Sequence, residues 1–282
     1  MQRFPLNEER KSVKMKNPVT MTNAEYHANS AVSKSDLDLI NRSPAHYRYV
    51  KDNPGVQTAA MLLGSVLHKL VLEPETFDAE YAVCPAVDRR TKAGKEVYQA
   101  FISSLHEGVE AITDDVYKTV QAMAAAVKSH PIAAKLLQGG QAESSYFWEE
   151  NGVECKCRPD YLRADIKCVI DLKTTQNASP ESFVKSAYDY RYHVQAAWYL
   201  KGLRACGIDV ENFIFIAVEK EPPYTVCVYT ADELMIKLGN SEAEENLGVL
   251  CECMRSDNWF GYEETPIIHS LSLPEWVARK YF

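Results

Sequence analysis

The chain has 282 residues, 46% hydrophobic and 25% charged, with a formal charge of -8. That composition fits a globular fold with a substantial core and argues against a general nucleic-acid coat, while leaving room for a local basic lining around divalent cations. No run reaches membrane-span length and the opening MQRFPLNEERKSVKMKN lacks the apolar core of a signal peptide; eight scattered cysteines, with ECKC and CEC too closely set for a disulfide framework, point to reduced thiols in a cytoplasmic protein.

In chain order, residues 1–25 are expected to form a flexible polar arm, ahead of a folded domain over 26–265 and a tail over 266–282. SKSDLDLINRSPAHYRYV predicts a short helix in which Ser35 caps and Asp38 completes a capping-box-like pair, with Pro44 ending it and opening another turn. TAAMLLGSVLHKLVLEP predicts an apolar helix, and FDAEYAVCP an extended segment. DRRTKAGKEVYQAFISSL starts with Arg89, Arg90, Lys92 and Lys95 on a loop and continues as helix; residues 114–137 predict one helix ending at Gly139-Gly140. The pattern then changes to short strands in QAESSYFWEENGVECKCRPDYLRADIKCVIDLKTT, with Asn151-Gly152 as a hairpin turn. Pro180 opens a long helix running to Gly207, VENFIFIAVEK and YTVCVYTA form a strand pair separated by EPP, and residues 231–256 form a last helix. The fold class is therefore α/β, with a central sheet flanked by helices and a helical N-terminal part.

The chemistry concentrates in RPDYLRADIKCVIDLKTT. Strand periodicity puts Asp171 and Lys173 on one face with Leu172 behind, and a turn at LRAD brings Asp160 beside Asp171. Two carboxylates so placed can bind a hard divalent cation, Mg²⁺ or Mn²⁺, with waters and a backbone carbonyl such as that of Leu172 completing its oxygen shell. From spacing alone an ordinary Asp171–Lys173 ion pair, with Asp160 in a turn, accounts for the pattern equally well. Further along, Tyr188, Tyr192, Gln195 and Tyr199 recur at helical spacing beside Arg191, a stripe unusually polar for a core face.

RPD, ten residues, then DLK resembles the PD-(D/E)XK nuclease core, a small mixed sheet flanked by helices. Within that superfamily SKSDLDLINRSPAHY, LLGSVLHKLVLEP, AESSYFW and YRYHVQAAWYL resemble, in order, the motifs of the RecB-like branch and its RecE-like exodeoxyribonuclease VIII group. The resemblance implies that His68 joins Asp160 and Asp171 at the metal, with Gly64 permitting a close backbone approach. It also implies that Glu143 completes or orients the site, and that Gln195 and Tyr199 face the catalytic centre and the DNA backbone. Ser33, Ser35, Arg191 and Tyr192 are the candidate substrate contacts in the same cleft. The activity implied is metal-dependent hydrolysis of linear double-stranded DNA, 5′-to-3′ and processive, leaving 3′ tails for an annealing recombinase in prophage-type recombination. A toroidal homotetramer is implied with it. A single-strand exonuclease or an endonuclease of the same superfamily would share these residues, and a non-catalytic DNA-binding relic would have no chemical reason to keep them. The cysteines depart from the iron–sulfur pattern of some RecB-like nucleases, since Cys251-x-Cys253 supplies only two close downstream ligands.

Overall fold

The computed structural model describes residues 18–279. Its N-terminal half is helical: α1 (Asn23–Ala28), α2 (Lys34–Arg42), α3 (Pro44–Asp52), α4 (Ala59–Leu72), α5 (Phe77–Glu80), α6 (Lys92–Ser104), α7 (Asp114–Ser129) and α8 (Pro131–Leu136). Five of these helices start on a side-chain oxygen, from Thr22, Ser43, Thr58, Thr91 or Thr113, that accepts the backbone N–H three residues on. A short parallel pair, β1 (Tyr81–Val83) and β2 (Glu110–Ile112), lies among them.

Several boundaries differ from the sequence expectation. The capping box of α2 sits two residues earlier than expected: the Ser33 backbone N–H and hydroxyl donate to Asp36 Oδ2 at 2.8 and 2.7 Å, leaving Ser35 exposed. The single helix expected over 114–137 is α7 followed by α8. Pro131 cannot continue an α-helix, and the His130 ring accepts the Ala133 N–H to start the second piece. Phe77–Glu80 is a helical turn where an extended segment was expected. Residues 1–17 of the expected arm lie outside the described residues, while Val19 pairs with Ser145 and α1 begins at Asn23.

The second half contains β3 (Gln141–Ala142), β4 (Tyr146–Glu150), β5 (Val153–Cys157), β6 (Tyr161–Arg163), β7 (Cys168–Thr175), α9 (Pro180–Asp189), α10 (Tyr192–Ala205), β8 (Asn212–Glu219), β9 (Val226–Thr230), α11 (Glu233–Ser256) and α12 (Glu275–Ala278). β4 and β5 form the hairpin turned at Asn151-Gly152. The central sheet is mixed, in the order β3-β6-β7-β8-β9, with β7 and β8 parallel and the other neighbours antiparallel. A parallel neighbour needs a long crossover, which α9 and α10 supply.

Two-residue periodicity divides the core. Val169, Phe213, Phe215 and Ala217 join Trp198 and Leu247 on the α10–α11 side, while Ile170, Leu172, Ile216 and Val218 join Val66, Leu67 and Met123 on the α4–α7 side. Tight helix packing on the first side requires Gly239, where a Cβ would lie 2.0 Å from the His193 carbonyl oxygen. Gly64 has no such role: a Cβ there would meet nothing within 4 Å, against the close approach expected for it.

The long helix expected from Pro180 to Gly207 is broken. Tyr190 ends α9, and Arg191 takes a left-handed conformation at φ 54° before α10 begins. Its guanidinium holds that backbone in place, donating to Asp38 Oδ1 and Asn246 Oδ1 at 3.1 and 2.6 Å and pairing with Glu242 at 3.1 Å. The expected four-residue stripe is broken with it. Tyr188 stacks on His193 and stands 67% exposed on α9, while Tyr192, Gln195 and Tyr199 stay together on α10.

Among the described residues no disulfide joins any of the eight cysteines, and no helix is long and apolar enough to cross a membrane.

Candidate active site

The site forms where the sheet ladder runs out. β6 pairs with β7 from Arg163↔Cys168 to Tyr161↔Ile170 and then leaves it, so the Leu172 peptide groups on that edge lack strand partners. Two side chains supply them. Asp160 Oδ2 accepts the Leu172 N–H at 2.7 Å, and His68 Nε2 lies 2.7 Å from the Leu172 carbonyl oxygen. A carbonyl only accepts, so Nε2 carries the proton and Nδ1 is turned to the carboxylates, 3.6 Å from Asp160 and 3.8 Å from Glu143.

His68 on α4, Glu143 just past β3 and Asp160 just before β6 thereby converge, each with one ligand atom within 4.8 Å of the others. Glu143 is aimed there by an unusual backbone, with φ 46° and its N–H donating to the Asp160 carbonyl at 3.1 Å. This non-glycine left-handed residue is strained, and the pairing with Asp160 holds it. The His68 and Glu143 side chains are each 25% exposed, which gives the trio a solvent-facing side.

Asp171, an expected ligand, is not one of the three converging groups. It is fully buried and stands outside the trio, its Oδ1 accepting from Gln195 Nε2 at 2.5 Å and its Oδ2 lying 2.6 Å from the Lys173 ammonium. Asp171 and Lys173 do share a face, as strand periodicity requires, and β7 alternation sends them towards α10. The Leu172 carbonyl, expected on the metal, accepts one hydrogen bond from His68 here.

Electrostatics follow from this crowding. Burial disfavours charge on His68, but Asp160 and Glu143 outweigh it and raise the imidazole pKa to about 9. Burial, with the like charge of Asp160 added, raises Asp171 to about 6 against the pull of Lys173. Burial likewise raises Asp160, opposed by His68. Lys173 is raised despite its burial, because Asp171 and Asp160 hold the ammonium charged.

Ser33, Ser35, Lys173, Tyr192, Gln195 and Tyr199 line a cavity of about 560 Å³ that meets the site at Lys173 and Gln195, the two partners of Asp171, and whose lining does not include His68, Glu143 or Asp160. Arg191 is not in that lining; its guanidinium is spent on the internal ties described above. Among the lining residues that sequence reasoning missed are Tyr26 and His27 on α1. Nothing in their local pattern marks them, because they reach the cavity through pairing of residues 18–32 with distant strands.

Three converging donors, one of them an imidazole whose other nitrogen is fixed on a backbone carbonyl, fit a divalent cation. A family model described as a PDDEXK-like domain of unknown function (DUF3799) matches residues 33–266. The chain belongs to that PDDEXK-like family. Its RPD and DLK segments are the Asp160 and Asp171–Lys173 elements of the site just described. No curated protein matches the chain. Among solved structures, this PDDEXK-like domain is similar to a Eubacterium rectale protein provisionally designated an exonuclease, at 16% identity and TM-score 0.55, covering 89% of this chain and 97% of that one. A phage-related exonuclease from Haemophilus somnus 129PT is 15% identical at TM-score 0.33, covering 67% of this chain and 94% of that one. The first likeness supports the fold alone, a mixed sheet flanked by helices; the family rests on the matched model and the candidate metal-binding trio on the geometry of His68, Glu143 and Asp160.

Proposed function

We propose that this PDDEXK-like domain hydrolyses DNA phosphodiesters with Mg²⁺ or Mn²⁺, acting as an exonuclease on linear duplex ends. The observation that carries the reading is the convergence of His68, Glu143 and Asp160 beside a buried Asp171–Lys173 pair. In this reading His68 Nδ1 and the Glu143 and Asp160 carboxylates hold the cation, with Asp171 adjacent. When bound, the cation supplies Lewis-acid polarisation of a phosphoryl oxygen and a more acidic water.

The protein's own groups do the rest. The Leu172 peptide fixes Asp160 through its N–H and His68 through its carbonyl, so neither ligand pays to be oriented when substrate arrives. Gln195 holds Asp171 Oδ1, and Asp171 holds Lys173. With its pKa raised, Lys173 keeps its proton at neutral pH; it therefore acts as a fixed positive charge beside the phosphate and not as the base that deprotonates water. Water attacks phosphorus and gives up its proton to bulk solvent, the P–O bond to the leaving oxygen breaks, and that oxygen takes up a proton from solvent. Processive 5′-to-3′ degradation, 3′ tails for a recombinase and a ring-shaped tetramer are finer parts of the same proposal, supported by the RecE-like motifs.

The test is digestion of linear duplex DNA labelled separately at each 5′ and 3′ end, with Mg²⁺, with Mn²⁺ and with EDTA. Metal-dependent loss from 5′ ends, abolished in Asp160→Asn, is expected. Cleavage of closed circular duplex would instead make the enzyme an endonuclease, and full activity in Asp160→Asn would remove the metal assignment.

A further inference from the structure

Residues 18–32 lie wholly ahead of the segment matched by the family model, yet Tyr26 and His27 among them form part of the wall of the cavity that Lys173 and Gln195 also line. Val19 and Ser145 exchange backbone hydrogen bonds at 2.8 and 3.2 Å, and Val32 pairs alongside β5 through Glu154 and Lys156, both at 2.8 Å. Two buried cations finish the attachment. Lys156 Nζ donates to the Tyr26 and Asn29 carbonyls at 2.6 and 2.8 Å, and Arg158 to those of Met21 and Thr22 at 3.1 and 3.3 Å. The same two cations lie 4.5 and 4.3 Å from the centre of the Tyr26 ring. Two desolvated charges spent on one short strap fix its position closely, since each would be costly without those partners.

What the strap presents to the cavity is specific. The four lysines of the lining are already engaged: Lys34 with Asp38, Lys51 with Asp36, Lys156 with the strap carbonyls and Lys173 with Asp171. The hydroxyls of Tyr26, Tyr192 and Tyr199, by contrast, make no hydrogen bond among the described residues, and neither does the His27 ring. The unspent capacity is therefore hydroxyl, imidazole and aromatic edge, set among lysines whose charge is largely shared with Asp36, Asp38 and Asp171. That chemistry suits sugar and phosphate oxygens together with a base, in a volume typical of a small-ligand site.

We propose that the strap 18–32 is the substrate-side wall of the site, with Tyr26 and His27 as positioning residues for an unpaired nucleotide held beside Lys173 and Gln195. This rests on the nuclease reading above. It predicts that the strand being cut enters the cavity separated from its complement.

The test uses the full chain carrying Tyr26→Phe, which keeps the ring and both cation contacts, or His27→Ala, at an exposed position that does not support the fold. Binding of a fluorescein-labelled oligothymidylate is followed by anisotropy with Ca²⁺, and cleavage with Mn²⁺ is measured on that oligonucleotide and on bis(p-nitrophenyl) phosphate. Each variant should bind the oligonucleotide about three- to tenfold more weakly, the scale of one lost hydrogen bond. KM should rise by that factor with a smaller fall in kcat, and the ratio of oligonucleotide to reporter kcat/KM should fall. Unchanged affinity and KM in both variants, with active wild type, overturns this proposal alone. Wild type that cleaves linear duplex DNA but not the oligonucleotide also overturns this proposal alone, and wild type that cleaves neither of these substrates nor linear duplex overturns the nuclease reading and this proposal with it.

Discussion

His68 Nε2 and the Leu172 carbonyl are joined by a 2.7 Å hydrogen bond, which leaves Nδ1 3.6 Å from Asp160. The bond fixes the tautomer, and the neighbouring carboxylates raise the cation-free imidazole to about 9. A metal ion must therefore displace a proton. Mn²⁺ binding at pH 7 is expected to release close to one proton, and its apparent affinity to rise roughly tenfold per pH unit below pH 9. Calorimetry in buffers of different ionisation enthalpy measures this; the same proton release in His68→Ala would show that His68 is not the group displaced.

Asp171 is raised to about 6 in the fold, above its ordinary value of 3.8. The folded state thus binds its proton more tightly than the unfolded chain. The stability this contributes is complete below pH 3.8 and is lost as pH rises through 6. Asp171→Asn supplies a neutral group that still accepts from Gln195. In metal-free protein at pH 8 it should melt several degrees higher than wild type, on a scale of about 2–4 °C per kcal/mol for a chain of this size. The gain should vanish by pH 4, while nuclease activity is lost at every pH. A melting temperature that falls at pH 8 would contradict the raised Asp171.

Lys173→Met removes the one cation 2.6 Å from a fully buried carboxylate. Leaving a buried charge unpaired costs about 3–5 kcal/mol, so denaturant midpoints at pH 8 should fall sharply. The loss should shrink at pH 5, where Asp171 takes up its proton. Gln195→Leu should cost less stability, about 1–3 kcal/mol for an unsatisfied acceptor, and lower kcat by tenfold or more because Asp171 is no longer aimed. Equal stability losses at the two pH values in Lys173→Met would remove the pair as the cause.

Arg191 discriminates between a phosphate contact and an internal tie. Its guanidinium joins α2, α10 and α11 through Asp38, Asn246 and Glu242 and holds its own left-handed backbone. Arg191→Ala should lower the melting temperature by 5 °C or more, on the order of 2 kcal/mol at this chain length, with the salt dependence of DNA binding unchanged. A shallower salt slope with unaltered melting would restore the substrate-contact reading.

The sequence by itself determined the α/β class, the hairpin at Asn151-Gly152, the shared face of Asp171 and Lys173, and the neighbourhood of Asp160. All of these follow from period-two geometry and turn chemistry acting over a few residues. His68, Glu143, Gln195 and Tyr199 were legible as a set only through the order of motifs, because nothing local ties α4 or α10 to β7. Tertiary structure decided the rest. The β6–β7 ladder ends at Ile170, so the Leu172 peptide recruits His68 and Asp160, and Glu143 converges with them while Asp171 is held by Gln195 and Lys173. Arg191 breaks a helix that the pattern reads as continuous, since its three ion and hydrogen-bond partners come from segments far along the chain. The strap carrying Tyr26 and His27 reaches the cavity by backbone pairing and two buried cations, and long-range partners of that kind leave no period in the residues that need them.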